Sequence, residues 1–369
     1  MKTKITNGIL MGLIINMVYP KAIGVTQGLM AREAMNDIWV AMVFSTIKGS
    51  VIMLLTVLII CRMPDKNLAE YASVLFGKWV GKFISLLQIL FFLGAYATVM
   101  ITFVYHMLDY FLPEMPVLLL IVVALIVGVY GVFHGLEVLG RTALVGVFAI
   151  ISLNVLILIG SLHLMDVREL MPFLNTGVIN TFIASRHNDT DWAVATMMTG
   201  MILPMVREKT IWSRAGVGGV MFSAIMVGMW PLLEVGVLSP EVTGHYTVSC
   251  MQLARSAEIG MFIHRYEMIM VAFFAITSLV QTMICILCTS QAASQLFGLK
   301  DIRPMIIPSA LVLSAFGYWI VLDKVRAVEL LEHVWPVWAL SIAISLPVIL
   351  YIVGLFIKPR PTPSDRETA

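Results

Sequence analysis

Windows of about 20 consecutive apolar residues recur along this chain, and no other feature limits its fold as strongly. Wound as a helix rising 1.5 Å per residue, such a window matches a hydrocarbon layer of about 30 Å. Ten can be placed, near 7–31, 38–61, 83–111, 116–133, 141–164, 191–207, 213–238, 266–297, 304–322 and 334–357. The connections are too short for a soluble domain, the longest being 165–190 and 239–265. With 60% hydrophobic and 12% charged residues in 369, a soluble globular domain is excluded. An all-α polytopic membrane protein is expected, with residues 1–357 as one transmembrane unit. The polar, proline-rich segment 358–369 is expected to be a disordered cytoplasmic tail. Thr243 to Arg265, with Met251, Ala254, Met261 and Phe262 among polar residues, has the pattern of a helix lying on the outer surface.

Basic residues set the orientation. With the N-terminus inside, fifteen Lys and Arg fall on the cytoplasmic side and seven outside, while Lys21 and Lys48 lie within windows, accounting for all 24. Both termini are then cytoplasmic. The first window is interrupted by Val18-Tyr19-Pro20-Lys21-Ala22-Ile23-Gly24. Pro20 has no amide for the carbonyl four residues back, Gly24 tolerates unusual backbone angles, and Lys21 puts an ammonium among apolar residues. The sixth window, Trp192 to Val206, is short, contains Gly200 and Pro204, and follows the polar run SRHNDTD. Helix breaks are expected at Pro20, Gly24, Gly200 and Pro204. Interruptions five windows apart predict an inverted five-plus-five repeat, with broken helices 1 and 6 beside a ligand or ion site. Lys21 lies eleven residues before Arg32, about 16 Å below the outer end of a continuous helix. Asp109, Asp189, Asp191 and Glu234 all fall nearer the outer ends of their windows, so no carboxylate is expected at its depth. Lys21 is then a built-in cation, a partner for a ligand carboxylate, or a lysine that reaches water through a cavity.

Other clusters carry weaker chemistry. Cys285 and Cys288 have CxxC spacing inside an apolar window with no second ligand pair, which reads as buried thiols. His264 and Glu267 stand three apart, too few ligands for a metal. Glu137 and Arg141 are placed for an i, i+4 ion pair. The loop from Pro64 to Lys82, with Asp65, Lys66, Glu70, Lys78 and Lys82, is either a solvated positive loop or a surface for a partner. No nucleophile–base pair, metal cluster or phosphate loop points to an enzyme, a cofactor or nucleic acid.

Several stretches together are similar to a known family: LMAREAMNDIWV (29–40), MPDKNLAEYASVLFGKWVGK (63–82), FLPEMP (111–116), GLEVLGR (135–141) and FIHRYE (262–267). In this order and spacing they resemble the B subunits of bacterial spore germinant receptors, the GerAB type. That family lies within the amino acid–polyamine–organocation transporter superfamily with its LeuT-like fold. The resemblance implies a ligand-sensing, permease-like subunit of the spore inner membrane, acting with an A-type membrane subunit and a C-type lipoprotein. The implied germinant is a small nutrient such as an amino acid, whose carboxylate suits free amides at half-helix N-termini. In such folds helices 1, 3, 6 and 8 surround the pocket, which here nominates Tyr19, Lys21, Ala22, Gly24, Tyr96, Thr98, Met100, Thr199, Gly200, Gln281, Thr282 and Cys285. The sequence departs from the family at two places: Val18-Tyr19-Pro20-Lys21 replaces a glycine-rich break, and Thr196-Met197-Met198 stands where relatives carry Gly-x-Glu. Two alternatives follow, a transporter of the same superfamily and an assembly subunit that binds no small molecule.

Overall fold

A computed structural model describes residues 4–258 and 266–356, and these are almost wholly helical. In chain order the helices are α1 (Asn7–Lys21), α2 (Gln27–Ala34), α3 (Ile38–Arg62), α4 (Leu68–Phe76), α5 (Lys78–Tyr110), α6 (Val117–Phe133), α7 (Leu136–Ser161) and α8 (Val178–Ala184). The second half holds α9 (Arg186–Ile202), α10 (Trp212–Leu238), α11 (Pro240–His245), α12 (Ser249–Ser256), α13 (Glu267–Phe297), α14 (Arg303–Val321), α15 (Lys324–Glu329) and α16 (Trp335–Phe356). Among the described residues, seven helical segments are long and apolar enough to cross a bilayer, and α6 is a shorter apolar helix of 17 residues.

The first segment, Asn7–Arg62, is an unbroken helical path of 56 residues. Straight, it would reach about 84 Å, far beyond one bilayer. It turns at Met35–Asp37, where Met35 takes φ 50°, so α1 and α3 can both pack on α10 and α9. The Asp37 carboxylate fastens the turn, accepting from the Leu174 amide at 2.7 Å and from the Thr176 amide and hydroxyl at 3.1 Å.

The expected break in helix 1 takes a milder form than unwinding. Pro20 sits inside α1, and the chain then makes a π-helical turn, Ala22–Thr26, before α2 resumes. A π turn absorbs an extra residue without freeing a whole turn of backbone, and such bulges gather at functional sites. In helix 6 the expected break at Gly200 is absent: α9 runs through Gly200, which packs against Leu68 and Thr56, and ends in a 3₁₀ turn, Leu203–Met205, at Pro204. Beyond that turn, Ile5 donates its amide to the Met205 carbonyl at 2.9 Å, tying the start of α1 to the end of α9.

Three connections are more structured than hydropathy implies. The run SRHNDTD is helical from its second residue, so α9 begins at Arg186. Part of the Pro64–Lys82 loop is α4, started by a reciprocal capping box of Asn67 and Glu70 at 3.0 Å each way, with Leu68 and Tyr71 buried. Lys78 and Lys82 stand in the first turns of α5, which begins five residues before the expected start of that span. The expected surface helix over 243–265 is also corrected: its first part is α11 and α12, and Cys250, Met251, Leu253 and Ala254 of α12 are fully buried against the core. His264, Arg265 and the tail from Lys358 lie outside the described residues. The Glu137–Arg141 pair forms as expected, at 2.6 Å.

Candidate functional site

The π turn is where helices from both halves meet. In an α-helix, residues five apart point about 140° away from each other. The wider π turn brings them into line, and two such contacts define it. Lys21 Nζ donates to Thr26 Oγ1 at 3.1 Å, and the Gln27 side-chain amide donates to the Ala22 carbonyl at 3.0 Å. Just before the turn, the Met17 carbonyl accepts the Gln281 amide of α13 at 2.7 Å. Side-chain amides thus reach the Met17 and Ala22 carbonyls, on either side of Pro20, within a low-dielectric interior.

Lys21 has a carboxylate partner after all. Its ammonium donates to Asp191 Oδ1 at 2.8 Å, to Thr190 Oγ1 at 3.0 Å and to Thr26, so its three protons are placed. Thr26 Oγ1 donates in turn to Asp191 Oδ2 at 3.1 Å. Side-chain exposure is 6% for Lys21 and 1% for Asp191, so the pair is fully internal. The expectation of an unmatched lysine fails for one reason. With α9 starting at Arg186, Asp191 lies in its second turn rather than at the tip of a helix starting at Trp192. The neighbouring turn repeats the device: Lys48 of α3 pairs with Asp189 and donates to Ser185 Oγ at 2.7 Å. At the end of α2, Glu33 pairs with Arg186 at 2.6 Å and His187 at 3.1 Å. Asn188, its amide oriented to satisfy its neighbours, donates to Asp191 Oδ2 at 3.3 Å and accepts from Trp192 Nε1 and Ser45 Oγ at 3.2 Å. Every charged residue from Arg186 to Asp191 therefore binds α9 to the helical path of residues 7–62.

The opposite side of the turn is closed by contact. A Cβ on Gly24 would lie 2.7 Å from Thr102 Cγ2 and 2.9 Å from His106 Cε1, so α5 reaches the backbone only because residue 24 is glycine. His106 donates through Nδ1 to the Thr102 carbonyl at 2.6 Å and stacks on Phe274 of α13 with ring centres 4.1 Å apart. Cys250 of α12 sits 3.6 Å from His106 Nε2, so α12 covers the end of the turn.

Of the twelve nominated ligand residues, Lys21, Ala22, Gly24 and Gln281 gather at this turn. Tyr19 points elsewhere: its hydroxyl donates to Asn154 of α7, and Trp230 Nε1 of α10 donates to both, at 3.1 and 3.0 Å. Tyr96 bonds Ser314 of α14 at 2.8 Å, and Met100 packs on Gly317 of that helix. Thr98, Thr199 and Thr282 bond carbonyls of their own helices, and Cys285 is buried. Asp191, Thr190, Thr26, Thr102 and His106 were not nominated, although they make the closest contacts. For Asp191 and Thr190 the available signal was the polar run ahead of window six, whose four-residue periodicity fits one buried helix face.

Comparison with known proteins decides the family. A family model described as "Spore germination protein" matches residues 4–320. The chain belongs to the spore germination permease family. Among curated members, Spore germination protein YndE of Bacillus subtilis is 25% identical over 327 residues, covering 85% of this chain and 87% of that one. Spore germination protein KB of the same organism is 23% identical over 363 residues, covering 94% and 93%. Among solved structures this spore permease is similar to Mhp1, a nucleobase-cation-symport-1 family transporter, in a closed conformation with bromovinylhydantoin bound. The TM-score is 0.75 at 14% identity, with 99% of this chain and 81% of that one covered. A Na⁺-coupled sialic acid symporter in an outward-open state gives 0.63 at 12% identity, with 95% and 79% covered. At these identities the likeness is one of fold, and it is the LeuT-like transporter fold expected from the resemblance. The spore permease is a membrane protein with transmembrane helices.

Proposed function

We propose that this spore permease is the ligand-sensing membrane subunit of a germinant receptor, and that its germinant carries a carboxylate. The observation behind this reading is the Lys21–Asp191 pair on the π turn. An ammonium held by an internal carboxylate at the joint of both halves is a cation that a ligand carboxylate can share or take over. A ligand that binds better once Lys21 has released Asp191 shifts the equilibrium toward that state. Because Asp191 is carried by α9, such a release loosens α9 from α1. An amino acid fits this role, its ammonium meeting the carboxylate that Lys21 leaves.

In this reading ten helices cross the spore inner membrane as a five-plus-five inverted repeat, with the wide turn of helix 1 and the early end of helix 6 as its irregular pair. Both termini are cytoplasmic. The α4–α5 corner, with Lys78, Lys82 and the exposed Trp79, faces an A-type subunit, and a C-type lipoprotein completes the receptor. A transporter is the second reading, favoured by fold neighbours that move solutes.

Germination of spores carrying Lys21→Met tests the reading. The protein is expected to insert at a reduced level, with the response to amino acid germinants falling further than that level accounts for, and Lys21→Arg keeps part of it. A normal response with Lys21→Met would remove Lys21 from the mechanism. Germinant uptake by vesicles holding the protein alone would favour transport.

A further inference from the structure

A cavity of about 250 Å³ lies between α3, α9 and α16, apart from the π turn. Its walls are Ile52, Trp192, Ala193, Leu340 and Ile344, with the Lys48–Asp189 pair at one end. Ile47 and Val51 on its rim are 58% and 53% exposed, and Ile344 is 41% exposed. In a membrane protein such apolar surface meets lipid, so the cavity opens sideways into the bilayer.

We propose that this cavity binds a neutral amphiphile of the medium-chain alkanol class, entering from the membrane. Three observations select that chemistry. First, the size suits it: an apolar cavity of about 150 Å³ takes benzene, and this one, at about 250 Å³, is larger. Second, the charges are matched. Lys48 and Asp189 neutralise each other, and Lys48 is further occupied by Ser185 and by the Phe182 ring at 4.4 Å. A charged guest would strip one member of its partner in a low-dielectric setting, whereas a neutral one leaves the pair intact. Third, two polar atoms of the lining await a hydrogen-bond partner among the described residues, Asp189 Oδ1 and the Thr196 hydroxyl. Thr196 is fully buried. By contrast Thr190 and Thr199 of the same helix bond their own carbonyls. The guest's hydroxyl meets Thr196 Oγ1, and its alkyl body lies along Trp192, Ile52 and Leu340.

Trp192 makes the site observable. Its side chain is pressed onto Gly49, where a Cβ would lie 2.6 Å from Trp192 Cγ, so the indole is a fixed wall. Full-length protein in nanodiscs is titrated with 8-bromooctan-1-ol, and tryptophan fluorescence is followed. The chain has eight tryptophans, so Trp192→Phe isolates the contribution of this one. A saturable quenching component is expected in the unaltered protein, and Trp192→Phe removes it. Filling the cavity with Ala193→Phe abolishes it. The near-isosteric Thr196→Val preserves packing and weakens apparent affinity about five-fold, the worth of one hydrogen bond. Quenching that rises linearly without saturation overturns the proposal, as does equal affinity for 1-bromooctane or for the Thr196→Val protein. Brominated phosphatidylcholine that quenches Trp192 and is not displaced by octanol would show a bilayer acyl chain in the cavity instead, and that also overturns it.

Discussion

The Lys21–Asp191 pair predicts a particular pattern of stability loss. The two groups meet at 2.8 Å with side-chain exposures of 6% and 1%, so water cannot rescue either one alone. Lys21→Met strands a carboxylate whose remaining described hydrogen bonds come from Thr26 and, in its satisfied orientation, Asn188. Asp191→Asn strands an ammonium on two hydroxyls and an amide. Each single change is expected to cost about 3–5 kcal/mol, because an uncompensated internal charge remains. Combining them removes both charges, so the double variant should recover about 2–3 kcal/mol relative to the sum of the singles. The assay is denaturant unfolding of detergent-purified protein, with all four proteins compared on one tryptophan signal. Losses that add to within about 0.5 kcal/mol would refute the reasoning, since they would mean the two groups do not form one unit.

Gly24→Ala should destabilise by about 1–3 kcal/mol through overpacking against Thr102 Cγ2 and His106 Cε1; adding Thr102→Ser, which removes the clashing methyl, should return part of the yield of folded protein. Asn67→Ala removes half of the α4 capping box and is expected to cost about 1 kcal/mol, read as faster proteolysis between residues 62 and 82. Charge reversal at Lys78 and Lys82 should reduce co-purification of an A-type subunit without lowering the melting temperature, and unchanged association would leave that corner merely solvated. Cysteines placed in 165–190 should react with impermeant reagent in intact cells and those in 62–82 should not; labelling of 62–82 from outside would invert the proposed orientation.

What the sequence revealed and what it hid follow from one property of hydropathy: it reads each side chain alone. The long apolar helices, the family and the irregular turn at Pro20 were all legible, because apolar length, motif order and a proline inside a helix are local features. Ser185–Asp191 was not legible as the start of α9. Hydropathy treats Arg186, His187, Asp189 and Asp191 as solvent-seeking, and it treats Lys21 and Lys48 as anomalies within apolar windows. In three dimensions the anomalies cancel, lysine against aspartate, and the polar run becomes a buried helix face. The error in locating the Lys21 partner was therefore the same error as the misplaced start of helix 6. The i, i+5 contacts of Lys21 with Thr26 and of Ala22 with Gln27 were hidden for a different reason. They exist only with π geometry, and nothing in residue type alone distinguishes a π turn from a proline kink.

The pairing also bears on what kind of ligand the turn can answer. A germinant carboxylate at Lys21 would exchange one carboxylate for another, so the charge interaction at that atom changes little in sum. If the released state is populated to a fraction f, the apparent dissociation constant rises by 1/f over the intrinsic one. Selectivity must then come from groups other than the carboxylate, and the groups around the Lys21 ammonium are the Thr190 and Thr26 hydroxyl oxygens, which accept from it. Acceptors and a freed aspartate favour a ligand with a cationic or N–H-bearing end beside its carboxylate. A plain monocarboxylate such as acetate would leave Asp191 unpaired, and it should neither trigger the response nor compete with an amino acid that does.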